Sequence, residues 1–331
     1  MRGLHFFRLL AALTLTSSVA ALAQPQALSK YPERPIKLVV GYSAGGPTDI
    51  IARLLAQEMS KSLGQPVVID NKPGANGNIA TEMVQRSSPD GYTLLVNSLS
   101  HYVNPLLDPE RVRYDPIKDF TPITRLVTGS QLLVVGASSP FSNMGELLQK
   151  ARSAPNALNY GSAGIGSAAH LVTALLEQYT QASMNHIPFK GTGPALNEVI
   201  AGRVDFMFLP LAAVSEMAKA GKVHVLAITA AKRSAEYPQV PTLSELGFPG
   251  FGDYDHPLGI IGPAGLDAAI AKKVDAAAEA ALMTSAVSAK LKSFGVNIDH
   301  LGPQEYKGWL SQDGRRWAQI IQRAGIRAKA D

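Results

Sequence analysis

Apolar residues fall first into short unbroken runs and then into longer spaced patterns, and this alternation repeats along the chain. Residues 36–40 (Ile-Lys-Leu-Val-Val) are apolar with one polar interruption and predict a buried strand. Ile51, Leu54, Leu55 and Met59 then recur at helical spacing, which predicts a helix from Pro47 to a stop at Gly64. A strand over 66–70, a glycine-rich loop over 71–78, a helix over 79–86, a turn at 89–91 and a strand over 92–96 follow. Beyond residue 124 the pattern predicts strands over 132–135, 158–160, 204–208, 223–228 and 258–261. Helices are expected over 168–179, 195–200, 268–291 and 304–323, and Asn143 with Glu146 reads as a capping pair opening one more. Strands alternating with helices predict a parallel α/β sheet. The layout occurs twice, so two α/β domains are expected: 32–124 with 253–331, and 125–252.

Three junctions share one design of strand, glycine loop and helix N-terminus, at 41–47, 161–167 and 189–194. Unpaired N–H groups at a helix start make each of them an anion site. Open α/β sheets bind ligands beyond the carboxyl ends of their strands, so two such sheets predict one small anion in a cleft between them. The residues expected to line it are Tyr42, Ser43, Ala44, Gly45, Gly46 and Thr48 in the first loop, with Ser98 after the third strand. From the second loop come Ser162, Ala163, Gly164, Gly166 and Ser167, and from the third Lys190, Gly191 and Thr192. The hydroxyls are uncharged donors suited to a carboxylate, and Lys190 adds positive charge. Asp49 and His170 stand in first helical turns: Asp49 is expected chiefly to stabilise its helix start, and His170 to face the cleft or to orient a neighbour. Asp253 and Asp255 precede the late strand and are further candidates for polar contact.

Length and composition narrow the class. The chain has 331 residues, 46% hydrophobic, enough for two domains with real cores. Its net charge of +5 is scattered, with no basic run interleaved with aromatics, so nucleic acid is not an expected partner. Arg2, Arg8, an apolar run over 9–19 and Ala21-Leu22-Ala23 read as a signal peptide over 1–23, cleaved after Ala23, which places the mature chain in the periplasm. With no cysteine there is neither disulfide nor thiolate site. No histidines and carboxylates stand at metal-ligand spacing, and no metal or other cofactor is expected. Gly41-Tyr42-Ser43-Ala44-Gly45 is formally a nucleophile-elbow pattern, which keeps a secreted serine hydrolase using Ser43 as an alternative. The chain upstream leaves no room for the strand and loop that would complete its oxyanion hole, so no enzymatic activity is expected.

Seven motifs in order resemble one family. They are 31–36 (Tyr-Pro-Glu-Arg-Pro-Ile), Gly45-Gly46-Pro47-Thr48-Asp49, 71–77, 89–95, Asp119-Phe120-Thr121-Pro122, 164–167 with His170-Leu171, and Pro241-Thr242 before Glu245. Together they look like the Bug-type periplasmic solute receptors of the tripartite tricarboxylate transporter class. The resemblance runs from about residue 31 to the end. It implies a type II periplasmic binding protein fold: two Rossmann-like α/β domains joined by crossing strands, closing on a small carboxylate. It also implies delivery of that ligand to a membrane permease, or a sensing role, with a sensor kinase as partner, where no permease is available; a monomer is expected. Where the family often carries a polar residue after the strand over 204–208, this chain has Leu209 and Pro210, and His256-Pro257 stand where many members have tryptophan. Leu209 therefore joins the candidate site residues and points to a ligand with an apolar or aromatic far end, or to a dicarboxylate whose second group meets Lys190.

Overall fold

The computed structural model describes residues 30–326 apart from 190, 250 and 252–255; the expected signal peptide lies outside the described residues. β1 (Ile36–Val40) sits between two parallel neighbours, β2 (Val67–Asn71) and β3 (Thr93–Asn97), with Leu38 opposite Ile69 and Leu94. Burial on both faces explains its near-continuous apolar run. The helices α1 (Pro47–Leu63) and α2 (Asn78–Gln85) connect these strands, and α3 (Leu99–Leu107) follows β3. β4 (Phe120–Gly129) then pairs antiparallel with a strand from far along the chain.

At Ser130 the chain leaves this sheet, and β5 (Gln131–Gly136) opens the second. There α4 (Met144–Ser153), β6 (Asn159–Ser162), α5 (Ala168–Thr180), β7 (Asn185–Pro188), α6 (Thr192–Ile200), β8 (Phe206–Pro210), α7 (Leu211–Lys219) and β9 (Val223–Ile228) follow in turn. The return strand β10 (His256–Pro263) rejoins the first sheet beside β4 and β3, followed by α8 (Ala268–Leu282), α9 (Ser285–Ser293), β11 (Val296–Leu301) and α10 (Pro303–Ala324). The first sheet has the order β11-β4-β10-β3-β1-β2 and the second β7-β6-β8-β5-β9. Two α/β sheets joined by crossing strands are the predicted arrangement. However, β5, β10 and β11 run antiparallel to their neighbours and make both sheets mixed where parallel ones were expected.

Several elements depart from expectation. The helix predicted over 268–291 is two helices, because the Thr284 hydroxyl accepts from Val287 N–H at 3.4 Å and starts a new one. α3, β4, β7, α7 and β11 were not predicted. α3 carries Pro105 inside it, a residue that argues against helix in a linear reading.

One hydrophobic cluster runs from Val39 and Leu95 through Tyr102, Tyr306 and Trp317 to Leu133, Phe206 and Phe208, and so spans both sheets. α10 carries the polar ties within it. Tyr102 donates to Asp313 at 2.5 Å, and Tyr306 exchanges hydrogen bonds with the Asn97 amide at 2.8 and 3.0 Å. These bonds fix the ends of β3 and α3, where candidate residues lie. Among the described residues no helix is long and apolar enough to cross a membrane.

Candidate functional site

The carboxyl ends of β1, β2, β3, β6, β7 and β8 lead towards six helices, and none of those six has a side-chain cap among the described residues. By contrast α4, α8 and α9 are capped by Asn143, Asp267 and Thr284. An uncapped helix start keeps its first N–H groups available for another acceptor. Loops 41–46 and 161–167 contain no lysine or arginine, so an anion held there would meet dipoles and hydroxyls and not an ion pair.

The first loop is shaped by an internal carboxylate. Asp49 is 2% exposed and accepts from Gly45 N–H at 2.9 Å, Arg53 Nε at 2.9 Å and Asn71 Nδ2 at 2.8 Å. Burial pushes its pKa up, but the bonds from Arg53, Gly45 and Asn71 outweigh that and hold it below the usual carboxylate range. Asn71 also donates to the Tyr42 carbonyl at 3.0 Å. Asp49 therefore holds the loop, and its candidacy as a ligand contact is corrected to that role. Ser43, Ala44 and Gly45 are left exposed at the tip, with Gly46 and Thr48 half-buried beside them. At the base Gly41 meets the chain after β2 so closely that a Cβ there would stand 2.8 Å from Gly77 Cα; only glycine fits.

Beneath the tip, Tyr42 OH, Ser98 Oγ and Ser100 Oγ form a triangle with edges of 3.0, 2.9 and 3.0 Å. Ser98 was anticipated and Ser100 was not.

The second loop is shaped by neutral imidazoles. Ser162 is fully buried; its hydroxyl accepts from Gly164 N–H at 3.0 Å, donates to the Gly164 carbonyl at 3.0 Å and lies 2.6 Å from His186 Nε2. With its one proton on the carbonyl, it takes the His186 proton as acceptor. Ser162 thus serves the loop's shape: its hydroxyl is buried and fully engaged with Gly164 and His186, where a ligand contact was expected. His170 Nδ1 accepts from Gly166 N–H at 3.0 Å, which leaves its Nε2 as the protonated nitrogen. The two imidazoles stack at 4.0 Å and 6°, with Tyr160 against His186 at 4.9 Å. Burial pushes the His170 pKa down to about 4; burial and then the neighbouring His170 push His186 down to about 3. Ala163 and Gly164 are half-buried, and the Ser167 hydroxyl is buried with no partner among the described residues.

The two loops meet the same wall. Gly166 has φ +76, and a Cβ there would stand 2.3 Å from Leu107 Cδ1 and 3.3 Å from Asn76 Nδ2. Asn76 and Asn104 are locked together by two hydrogen bonds of 3.0 and 3.1 Å. The 161–167 loop is thereby seated against the Asn76 turn and α3 of the first sheet, and Phe189 O lies 3.6 Å from a Cβ placed on Gly164. Gly191 and Thr192 stand at the start of α6. Lys190, Asp253 and Asp255 lie outside the described residues.

Leu209 is corrected: it is 1% exposed, paired with Leu132 inside the second sheet and packed in its core, not in the cleft. A linear reading missed Asn76, Asn78, His101 and His186. Asn78 opens α2 with its Oδ1 buried and unpartnered among the described residues. Its only linear signal was a place directly after the glycine loop over 71–77.

Residues 51–326 match the family described as tripartite tricarboxylate transporter family receptor. Protein BugT of Bordetella pertussis is 32% identical over 328 residues, covering 98% of this chain and all of that protein. A Rhodopseudomonas palustris protein solved with adipate is 32% identical with a TM-score of 0.83, covering 90% of this chain and 99% of that one. MatC of the same organism, solved with bound malate, is 33% identical with a TM-score of 0.79 over 88% of this chain and all of its own.

Proposed function

Since the chain belongs to the tripartite tricarboxylate transporter receptor family, we propose that it captures a small carboxylate between its two sheets and hands it to a permease of that transporter class. The chain is exported to the periplasm with residues 1–23 removed, and works as a monomer that binds and releases its ligand unchanged. The observation that carries this reading is the pair of uncapped helix starts, α1 and α5, behind glycine loops that carry no lysine or arginine. Such a site stabilises a carboxylate through N–H groups and hydroxyls without an ion pair. The exposed Ser43 tip, the Tyr42–Ser98 hydroxyls, Ser167, His170 and Thr192 are the contacts we assign to it.

The two Rhodopseudomonas palustris relatives described above hold dicarboxylates, adipate and malate. Placement of Leu209 in the core removes the argument for an apolar far end that its position suggested, and leaves a dicarboxylate as the preferred class. Against the hydrolase alternative, His101, His170 and His186 are engaged by the Pro116 carbonyl, Gly166 N–H and Ser162.

A thermal-shift panel of adipate, malate, benzoate, glutamate and leucine tests the ligand class, because a ligand that binds only the folded chain raises Tm by mass action. The reading expects the largest rise with the dicarboxylates. A rise with amino acids alone would overturn it. The two expected domains, 32–124 with 253–331 and 125–252, should also draw together about Ser130 on binding, seen as a smaller radius of gyration in solution scattering. Co-purification with a permease, and not with a sensor kinase, is the expected outcome for transport.

A further inference from the structure

A cavity of about 10 Å³ lies beneath the first loop, with walls that include Gly41, Tyr42, Asn97, Ser98, Ser100 and His101. That is room for one water and for nothing larger. His101 is 1% exposed. Its Nε2 lies 2.9 Å from the Pro116 carbonyl, so Nε2 carries the proton and Nδ1 carries a lone pair. Nδ1 is buried and has no partner among the described residues. The ring cannot turn to find one: it is stacked on Tyr114 at 5.6 Å and 9°, and meets the edge of Phe120 at 4.6 Å. Burial pushes its pKa down to about 4, so the lone pair is present at neutral pH.

The neighbouring hydroxyls cannot supply the missing donor. Tyr42, Ser98 and Ser100 have three protons between them, and the three short edges of their triangle take all three. A closed ring of this kind also has no proton to offer a carboxylate. A water brings two more.

We propose that one water is held in this cavity, donating to His101 Nδ1 and to Ser100 Oγ, and that it lets the hydroxyl ring open so that Tyr42 can donate to a ligand. Without ligand the three hydroxyls close their ring; when Tyr42 turns its proton from Ser100 to the ligand, Ser100 still accepts from the water, while Ser100 donates to Ser98 and Ser98 donates to Tyr42. Five protons then fill five bonds, and the Tyr42–Ser100 edge alone is left without one. His101 is by this account a positioning residue: it touches no ligand, and it holds the water that replaces the Tyr42 donor at Ser100. The ligand end of the chain rests on the carboxylate reading above; the water itself does not.

Two measurements test this separately. A crystal structure of the full-length mature chain, without ligand and at a resolution that shows ordered water, should contain a single peak within hydrogen-bond distance of His101 Nδ1 and Ser100 Oγ. A dry cavity would overturn the proposal whatever the chain binds. The second compares His101→Asn with His101→Gln by calorimetric titration of adipate or malate. Asparagine places an acceptor near the position of Nδ1, and glutamine places a donor near that of Nε2. The proposal expects affinity to stay within about threefold for asparagine and to fall about tenfold for glutamine, roughly the value of one hydrogen bond. The reverse order would assign the effect to the Pro116 bond, and equal losses or no loss would mean that His101 is only structural; each of these overturns it. If neither variant folds, the water peak in the parent chain decides.

Discussion

The loops after β1 and after β6 have the same outline, a strand, a run of small residues and an uncapped helix, yet opposite chemistry holds them. The first is clamped by a buried carboxylate, Asp49, with Arg53 and Asn71 around it. The second is clamped by neutral groups, Ser162, His170 and His186. A carboxylate held below its usual range keeps its clamp into acid, whereas imidazoles that must stay neutral lose theirs there. The carboxylate clamp therefore tolerates acid and the imidazole clamp does not.

Acid should separate the clamps most strongly. His170 and His186 in the second clamp have folded pKa values of about 4 and 3, and His101 beneath the first loop adds one of about 4, all below the unfolded value near 6.5. The unfolded chain binds more protons between these limits, so stability is full above about pH 6.5 and falls as pH drops towards 4. Each buried histidine contributes a slope of up to about 1.4 kcal/mol per pH step. Glu177 and Asp313, both pushed up by burial, act in the opposite sense and soften the acid end. Urea midpoints at pH 7.5, 6, 5 and 4.5 should fall steadily; a flat profile would contradict the neutral clamp.

Asp49→Ala comes next. It removes three hydrogen bonds from a buried acceptor, one of them charged, and should cost about 2–3 kcal/mol in urea unfolding at pH 7. A change below about 0.5 kcal/mol would show that the first loop holds itself without it. Gly166→Ala probes the other loop. Its added methyl meets Leu107, and its φ of +76 suits glycine, for a cost of about 2 kcal/mol and a displaced loop. Ligand affinity should fall with it, measured by titration. The smallest effect belongs to the exposed tip: Ser43→Ala should weaken carboxylate binding by about 1–2 kcal/mol with no change in Tm. Stoichiometric labelling of Ser43 by a serine-reactive phosphonate would instead favour an enzyme.

Local signals were readable in the sequence. β1, α1 and α5 follow from apolar spacing and from glycine and proline at their ends, all within a few neighbouring residues. α3 was hidden by Pro105, although Leu99, Tyr102, Val103 and Leu107 keep a helical period and are buried. Leu209 could not be assigned a side, because β8 is buried on both faces and its apolar run carries no alternation. The two clamps are legible only in part. Asp49 and Arg53 are one helical turn apart, a spacing that announces their pairing. His170 and His186 come from a helix and from a strand at the edge of the sheet, and only the fold stacks them. The Tyr42–Ser98–Ser100 triangle likewise joins residues 56 and 58 positions apart.

The central claim is that the two loops, so differently built, hold one carboxylate between them. A crystal structure of the chain with the dicarboxylate that raises Tm most tests it directly. One carboxylate should lie within hydrogen-bond distance of N–H groups or hydroxyls from both the 43–48 and 163–167 segments, with no lysine or arginine from either loop in contact. A ligand bound to one loop alone, or seated in the groove of about 720 Å³ that Lys232, Lys292 and Asn297 help to line, would contradict it.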